Sequence, residues 1–559
     1  MLHLDILPFK LTQNIITMIK SKLSPAIYII IAHFTFIQCT SQNYENTAKI
    51  APPPPNILFC IADDASHLFL KSYSGVEWVE TPAFDRVAAE GILFSNAYTP
   101  NAKCAPSRSA ILTGRNSWQL DEAANHWPVF PEKFGTFPEV LARNGYQVGY
   151  TGKGWAPGRA FDSLGNTRNL IGKNYSSIIT EPPTTAISGI DYAANFKQFI
   201  DDNKKEAPWF FWYGGLEPHR AYEFESGLKA GKELASITNM PPFWPDTSIV
   251  RTDLLDYALE VEYFDAHLGK MINLLESTGQ LENTLIIVTS DNGMPFPRIK
   301  GQEYELSNHL PLAVMWPKGI KNPGRLISDY ISFIDFAPSF LELAGISKPV
   351  NGMQSITGKS FTDIFNVENE GQVDEARNYV LIGKERHDIG RPNDEGYPIR
   401  GIIKDGFLFL QNFKTDRWPA GNPETGYLNT DGSPTKSLIL ELNRQKADDE
   451  NYWALNFGKR PEREFYDVRK DPFCLNNLAH DPEYSGYLKE LSGMMKTMLT
   501  EQKDPRVLGQ GDVFDQYSYA DEKTKDFYSR YMAGEKMKAG WVNPEDFEED
   551  TIVVTNPEK

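Results

Sequence analysis

Two pairs of oxygen-bearing side chains could bind a divalent cation. Asp63 and Asp64 directly follow the apolar run 56–62, and Asp291 and Asn292 come just after a second apolar run. Adjacent carboxylates repel each other unless a cation joins them, and hard cations such as Ca²⁺ take oxygen ligands. One such pair alone is more simply a helix cap or a solvated turn. Two pairs in equivalent positions predict a hard-cation site.

The two apolar runs are predicted to be strands that bring these pairs to one edge of a sheet. Run 56–62 is continuously apolar, which is typical of a strand buried on both faces of a parallel sheet. In open α/β sheets, ligands bind outside the carboxyl ends of the strands. Further strands are predicted at 146–150, 209–213, 285–289 and 312–315, and helices at 82–90, 137–144, 252–278 and 333–344. This alternation predicts an α/β sheet with helices on both faces.

The pattern changes after residue 375. Short apolar runs at 379–382, 399–403 and 407–410 are separated by turns, which favours a small antiparallel sheet. The predicted organisation is therefore a catalytic domain, a smaller C-terminal subdomain and an acidic C-terminal tail. Their expected bounds are 56–375, 376–504 and 505–559.

The most specific motif lies at residues 104–108 (CAPSR), followed by LTGR at 112–115. It resembles the signature of the type I sulfatases, C-x-P-S-R and then L-T-G-R, in the alkaline phosphatase superfamily. Residues 145–153 (GYQVGYTGK) resemble the second signature of that family. The resemblance implies an alkaline-phosphatase-like α/β/α sandwich with a large mixed, mainly parallel sheet. It also implies a C-terminal α+β subdomain with a short antiparallel sheet. Taken alone, Cys104 could instead be a buried core cysteine.

The resemblance implies a modified nucleophile on a metal ion. In type I sulfatases a dedicated maturation enzyme oxidises the motif cysteine to formylglycine, and the hydrated aldehyde attacks sulfate esters. Cys104 would be that nucleophile, and Arg108 would stabilise its ionised hydroxyl. The family usually holds Ca²⁺ and sometimes Mg²⁺. The implied metal ligands are Asp63, Asp64, Asp291, Asn292 and the modified Cys104.

Three further residues would bind the sulfate group by the same resemblance. Lys153 would contact the nucleophile and the sulfate, an attraction of up to about 4 kcal/mol at ~4 Å and an effective dielectric near 20. The family's usual histidine two places later is Trp155 here. His219 is the expected general acid, and Lys300 matches the family's spacing for a second sulfate-binding lysine. Each could also be an ordinary surface or structural residue.

Recognition of the rest of the substrate is assigned to aromatic and basic side chains, which suit sugar rings and acidic groups. These candidates are His126, Trp127, Trp155, Arg220, His309, Arg386 and His387. Residues 63–66 (DDAS) and 218–220 (PHR) resemble the branch that contains heparan N-sulfatases and algal-polysaccharide (ulvan) sulfatases. The implied partners are a sulfated polysaccharide or oligosaccharide as substrate and the formylglycine-generating enzyme.

Residues 1–39 are predicted to be a secretory signal. Lysines precede the apolar run 26–37, which is too short for a membrane span. Met18 is an alternative start, and Cys39 is a candidate lipoprotein cysteine. A polar, proline-rich linker at 40–55 would follow. The expected location is the periplasm, with membrane contact only through a lipid anchor at Cys39.

Composition excludes some functions. The 559 residues carry a formal net charge of −18 and show no basic stripe, which argues against nucleic acid as a partner. Four cysteines without paired spacing indicate neither a disulfide framework nor a zinc site.

Two alternative functions stay open at the level of sequence. One is a phosphonate or phosphodiester hydrolase of the same superfamily. The other is a non-catalytic glycan-binding protein with a sulfatase fold, which the complete set of predicted catalytic residues argues against.

Overall fold

The computed structural model describes residues 54–346 and 352–548. The predicted signal at 1–39, with Met18 and Cys39, and nearly all of the linker lie outside the described residues. Within 54–346 and 352–548, every helix is too short or too polar to span a bilayer.

A central eight-stranded sheet organises the first two thirds of the chain. Its strands are β1 (Asn56–Ala62), β2 (Ile92–Phe94), β5 (Gln147–Gly152), β7 (Lys173–Asn174), β8 (Trp209–Gly214), β9 (Thr284–Ser290), β10 (Leu312–Met315) and β11 (Arg325–Ile327). The strand order is β11-β2-β10-β9-β1-β8-β5-β7. Only β10 runs antiparallel to its neighbours, so the sheet is mixed and mainly parallel. Short parallel pairs form from β3 (Ala97–Tyr98) with β12 (Ile331–Ser332) and from β4 (Val129–Phe130) with β6 (Arg159–Ala160).

Helices cover both faces of this sheet. Those in the first part of the chain are α1 (Lys71–Ser74), α2 (Pro82–Ala89), α3 (Cys104–Thr113), α4 (Phe137–Arg143), α5 (Tyr192–Asp201), α6 (Ser226–Lys229), α7 (Ser248–Ser277), α8 (Glu305–Asn308) and α9 (Phe336–Leu343). The C-terminal part of the described chain contains five more helices: α10 (Pro434–Arg444), α11 (Tyr452–Phe457), α12 (Ser485–Glu501), α13 (Val513–Gln516) and α14 (Phe527–Met532). Short 3₁₀ turns join several of these elements.

The alternation of side chains along β1 divides the core into two layers. Leu58 and Cys60 point to the face that α2, α5 and α7 cover. Ile57, Phe59 and Ile61 point to the other face, where α3, α4 and α9 pack. Burying side chains of this size stabilises the fold by about 1.5–3 kcal/mol each. The continuously apolar sequence of β1 is therefore explained by burial on both faces.

The C-terminal sheet is a separate antiparallel meander. It consists of β13 (Tyr379–Lys384), β14 (Ile399–Lys404), β15 (Phe407–Asn412) and β16 (Arg463–Asp467), in that order. One face packs on Tyr98, the last residue of β3, and on Tyr304, which directly precedes α8. The other face packs on α12 through Leu491 and Met495.

The predicted fold class is confirmed, with small differences at the ends of elements. Helix α7 begins at Ser248, before the expected 252, because the Thr247 side chain accepts from the Val250 N–H and caps it. The helix expected at 333–344 is a 3₁₀ turn followed by α9. A capping box between Ser332 and Asp335 closes that separate turn first. The domain bounds at 375 and 504 stay predictions.

Arg400 on β14 joins the small sheet to the chain beyond α12. It bonds Asp504 through two nitrogens, at 2.7 and 2.9 Å, and Glu385 at 2.7 Å. All three side chains are buried. Removing one partner from a buried ion pair leaves charge uncompensated and destabilises by about 3–5 kcal/mol.

We therefore expect Arg400→Met to lower the free energy of unfolding by about 3–5 kcal/mol in denaturant titrations. Arg86→Met is the matched control, because Arg86 pairs with Glu90 and Glu276 at the surface and should lose about 1 kcal/mol or less. Equal losses in the two variants would contradict this account of the Arg400 cluster.

Candidate functional site

The two oxygen-bearing pairs, Asp63-Asp64 and Asp291-Asn292, lie side by side at the carboxyl edge of the central sheet. Strands β1 and β9 are adjacent and parallel, and their last residues are in register, so the residues that follow them meet. The backbone N–H of Asp64 donates to Asp291 Oδ1 at 3.1 Å. The side chains of Asp63, Asp64, Asp291 and Asn292 are all buried. Folding thus concentrates three carboxylates in a space that needs positive charge.

Cys104 is the first residue of α3 and faces this cluster. Its Sγ lies 3.6 Å from Asp63 Oδ1. One turn along, the Ser107 hydroxyl donates to the backbone oxygen of Asp291 at 2.6 Å, which fixes the start of α3 against the end of β9. Burial raises the pKa of the Cys104 thiol to about 12. An unmodified thiol here therefore stays protonated near neutral pH and is a poor nucleophile.

Arg108 and Lys153 supply counter-charge on the Asp63 side. Arg108 Nε donates to Asp291 Oδ2 at 2.7 Å, and its Nη1 donates to the backbone oxygens of Lys153 and Gly154. Lys153 Nζ bonds both oxygens of Asp63, at 2.8 and 2.6 Å. Burial lowers the pKa of Lys153, but the attraction of Asp63 outweighs it and the net pKa is raised. Both side chains are therefore charged in the site.

Lys300 supplies counter-charge on the Asp64 side. Its Nζ bonds Asp64 Oδ2 at 2.6 Å and Asp431 Oδ2 at 2.7 Å. Burial opposes the charge of Lys300, but Asp431 and Asp64 raise its pKa well above the usual value. The pKa of Asp431 is lowered, because Lys300 outweighs the burial of that carboxylate. Asp431 thus holds Lys300 at the site from the C-terminal part of the chain.

His219 stands at the open side of the cluster. Its side chain is 33% exposed, and its Nε2 lies 3.9 Å from Asp64 Oδ2. The other ring nitrogen, Nδ1, donates to the backbone oxygen of Arg220 at 2.6 Å. This bond fixes the ring and leaves Nε2 facing the cluster. A group in this position can exchange a proton with a molecule bound above Cys104.

The buried oxygens fit a hard cation. Asn292 Nδ2 donates to Asp64 Oδ1 at 2.6 Å, and Asn292 Oδ1 has no partner among the described residues. Asp63, Cys104 and Asp291 each offer a ligand atom within 4.8 Å of the others. The Cys104 sulfur stands there for an oxygen of a modified side chain. A buried amide oxygen without a partner, next to three carboxylates, is a donor set that suits Ca²⁺ or Mg²⁺.

A pocket of about 750 Å³ opens above Cys104. Four of the predicted substrate residues line it, namely His126, Trp127, Trp155 and Arg220. His126 Nδ1 bonds Asp388 Oδ1 at 2.9 Å, and the indole N–H of Trp155 donates to the Ser109 hydroxyl at 2.8 Å. Arg220 forms two bonds to Asp253, at 2.7 and 2.9 Å, so its charge is already compensated within the protein. The same pocket is also lined by Lys103, Lys153, His219, Lys300, Asp388, Asp431 and Trp541.

The other three predicted substrate residues do not line this pocket. His309 is buried against the rings of Tyr98 and His67, and its Nδ1 bonds Glu305. Arg386 is buried and donates to backbone oxygens at 517 and 518. His387 is fully buried, and its Nε2 bonds Asn101 Oδ1 at 2.7 Å. The side chains of these three residues therefore form bonds inside the fold and do not face the pocket.

Sequence reasoning missed several charged residues of the pocket, among them Lys103, Asp388 and Asp431. Lys103 precedes Cys104 directly and forms a buried ion pair of 2.8 Å with Asp388. Its position directly before the CAPSR motif was the signal that could have identified Lys103 from the sequence. Nothing local marks Asp388 or Asp431, because their importance comes from lysines more than 100 residues away in the chain.

The comparisons with known proteins agree with this geometry. The family model described as Sulfatase matches residues 55–346, which is just over half of the chain. The chain belongs to the sulfatase family and is a sulfuric ester hydrolase. The alkaline-phosphatase-like fold expected from the resemblance is confirmed by the sheet architecture and by similar solved structures.

Among curated proteins, the chain is similar to an ulvan-active sulfatase of Formosa agariphila, with 26% identity over 83% of this chain and 77% of the relative. It is also similar to human N-sulphoglucosamine sulphohydrolase, with 26% identity over 83% of this chain and 93% of that protein. Among solved structures, one protein bound to its substrate D-glucosamine-2-N,6-O-disulfate has a TM-score of 0.56 and 21% identity, over 81% of this chain and 98% of that one. A 2-O glycosaminoglycan sulfatase has a TM-score of 0.56 and 17% identity, over 81% of this chain and 93% of that one.

The donor set predicts that Ca²⁺ stabilises the folded protein. Adding Ca²⁺ to metal-stripped protein should raise the midpoint of thermal unfolding, with about 2.7 kcal/mol of stabilisation at 100 times the dissociation constant. Asp291→Asn should abolish the rise. Glu305→Gln is the matched control, because Glu305 belongs to a separate cluster with His67 and His309 and should keep the rise. A wild-type protein indifferent to Ca²⁺, or an unchanged response in Asp291→Asn, would contradict the assignment.

Proposed function

We propose that this protein is an exported sulfatase that removes sulfate esters from a sulfated carbohydrate through a formylglycine derived from Cys104. One observation carries the proposal: Cys104 lies at the base of the pocket, against buried carboxylates and among three cationic side chains. Nucleophile, candidate cation site and anion-binding groups thus share one small volume. The predicted signal at 1–39 supports export.

The position of Cys104 favours a modified side chain over a free thiol. The thiol is buried and protonated, and a thiol that attacked sulfur would leave a stable adduct. An aldehyde hydrate supplies two hydroxyl groups, one to attack the sulfur and one to release the sulfate afterwards, which divides a hard step into two easier ones. The CAPSR sequence at 104–108 fits the motif that the family's maturation enzyme recognises. Arg108, four residues further along α3, would stabilise an ionised hydroxyl at position 104.

A bound cation would add positive charge to the same point. Asp63, Asp64, Asp291 and Asn292 would hold it, together with the modified side chain at 104. Ca²⁺ is the proposed ion and Mg²⁺ the alternative, because both take oxygen ligands. When bound, such an ion polarises a sulfate oxygen and stabilises negative charge on the nucleophile.

Lys153 and Lys300 are proposed to bind the oxygens of the sulfate group. Both lysines line the pocket with Cys104, and their ammonium groups bond Asp63 and Asp64, respectively. An ammonium ~4 Å from a sulfate oxygen contributes up to about 4 kcal/mol at an effective dielectric near 20. His219, fixed by its bond to Arg220 and open to the pocket, is proposed to protonate the leaving oxygen.

The carbohydrate substrate is supported by the lining of the pocket and by the relatives. Trp127, Tyr150, Trp155 and Trp541 give apolar walls, and His126 and Asp388 add polar groups near them. Pockets for small ligands combine aromatic walls with a few polar groups in this way. An ulvan-active sulfatase and an N-sulphoglucosamine sulphohydrolase are among the relatives. A sulfated polysaccharide or its oligosaccharides are therefore the proposed substrates.

Replacing the nucleophile tests the proposal directly. Cys104→Ala should lower sulfate release by more than about 10⁴-fold, because no other group can form the bond to sulfur. Thermal unfolding should show an intact fold. Cys474→Ala is the matched control, since Cys474 is a buried free cysteine packed in the C-terminal sheet layer and should keep its activity. Substantial sulfate release by Cys104→Ala would exclude the proposed nucleophile.

The role of His219 as general acid predicts a dependence on the leaving group. His219→Ala should lower kcat by about 10²–10⁴-fold on a carbohydrate sulfate, whose alcohol is a poor leaving group. The loss on 4-nitrophenyl sulfate should be much smaller, because that leaving group needs no proton. Kinetics on the two substrates measure the difference. Equal losses on both would show that His219 only binds or positions the sulfate.

A further inference from the structure

The last part of the described chain returns to the pocket. We call residues 513–548 the C-terminal segment; it contains α13 and α14. Its apolar side chains, including Tyr519 and Phe527, form a small core with Ile389 and Leu428. Trp541, near the end of the segment, is one of the residues that line the pocket above Cys104.

The indole of Trp541 is held in a defined orientation. Its Nε1 donates to the backbone oxygen of Leu428 at 2.8 Å. The backbone oxygen of Trp541 accepts from the Gly432 N–H at 2.7 Å. A Cβ at Gly432 would lie 2.9 Å from the Cα of Val542, so the two backbones are in close contact there. The ring itself is only partly buried, and this leaves surface facing the pocket.

The same segment also supports Trp127 on the pocket wall. Trp127 has a φ of 53°, which an L-residue adopts only when its surroundings hold it there. The Ala520 N–H donates to the backbone oxygen of Trp127 at 2.8 Å, and the Tyr519 ring lies 6.1 Å from the indole. Trp127 is partly buried, like Trp541, and lines the same pocket. Two indoles are therefore fixed by one segment of the chain.

We propose that the C-terminal segment builds a sugar-binding subsite in which Trp541 and Trp127 contact the apolar face of a pyranose ring of the substrate. The C–H groups on one face of a pyranose make an apolar surface that a rigid indole covers at little entropic cost. His126 and Asp388 lie on the same pocket and can bond the hydroxyl groups at the ring edge. This subsite rests on the proposed function, because it requires a carbohydrate sulfate as substrate.

The subsite predicts a change in KM without loss of the sulfate site. Trp541→Ala should raise KM for a sulfated oligosaccharide from ulvan or heparin about tenfold, and kcat should stay within about twofold of the wild-type value. Inhibition by inorganic sulfate, which probes the sulfate site alone, should be unchanged. The variant keeps the backbone oxygen that bonds Gly432, so the contact beside Asp431 stays in place. Trp127→Ala should act in the same direction, and Trp541→Phe should recover most of the affinity.

Met532→Ala is the matched control, because Met532 is 40% exposed on the same segment and does not line the pocket. It should leave KM unchanged. If wild-type protein releases sulfate from the oligosaccharide and both tryptophan variants keep the wild-type KM, the subsite is overturned and the proposed function stands. If wild-type protein hydrolyses 4-nitrophenyl sulfate but no sulfated oligosaccharide, the proposed carbohydrate substrate and the subsite fail together. A weaker inhibition by sulfate in Trp541→Ala would show a general disturbance of the site and would also overturn the subsite.

Discussion

Three carboxylates are forced together where β1 and β9 end, and the rest of the site depends on neutralising them. Asp63, Asp64 and Asp291 are buried, so water cannot screen their repulsion. The strands that carry them are packed on both faces and cannot separate to relieve it. Positive charge must therefore come to this point from other parts of the fold. The same positive charge then suits an anionic ester above Cys104.

The required charge comes from separate elements, and this determines how the molecule is assembled. Arg108 lies one turn after Cys104 on α3, so a single helix delivers both the cysteine and a cation. Lys153 follows β5, and Lys300 lies in the loop between β9 and α8. Each ammonium is paired with a carboxylate of the cluster. A sulfate group or a divalent cation that enters the site would redistribute these pairs without adding buried charge that lacks a partner.

The C-terminal part of the chain completes the network. Asp431 holds Lys300, and Asp388 holds Lys103 beside the cysteine. Lys384 on β13 donates to the backbone oxygen of Gly301 at 2.5 Å, next to Lys300. The small antiparallel sheet therefore does more than enlarge the core. Its loops fix Lys103 and Lys300, which line the pocket above Cys104, while the segment beyond it forms part of the pocket wall.

Sequence could predict the elements whose signals are local. The uninterrupted apolar run of β1 and the oxygen-bearing pairs after β1 and β9 were sufficient to predict the edge of the sheet where the candidate site lies. The contributions of Asp388 and Asp431 could not be predicted, because each depends on a partner distant in the chain. Arg386 and His387 have residue types suited to binding, yet both are buried and bonded inside the fold. Residue type does not reveal which side of a strand end faces a pocket. Helix α12 was also not expected, since only Leu491, Met495 and Leu499 of its 17 residues are buried.

The most direct test of the central claim is mass spectrometry of the peptide that contains residue 104. The protein should be produced together with a formylglycine-generating enzyme, and the modified fraction compared with the fraction of active molecules in the same preparation. The account predicts an aldehyde at position 104, in proportion to activity. Fully active protein with an intact thiol at Cys104 would contradict it.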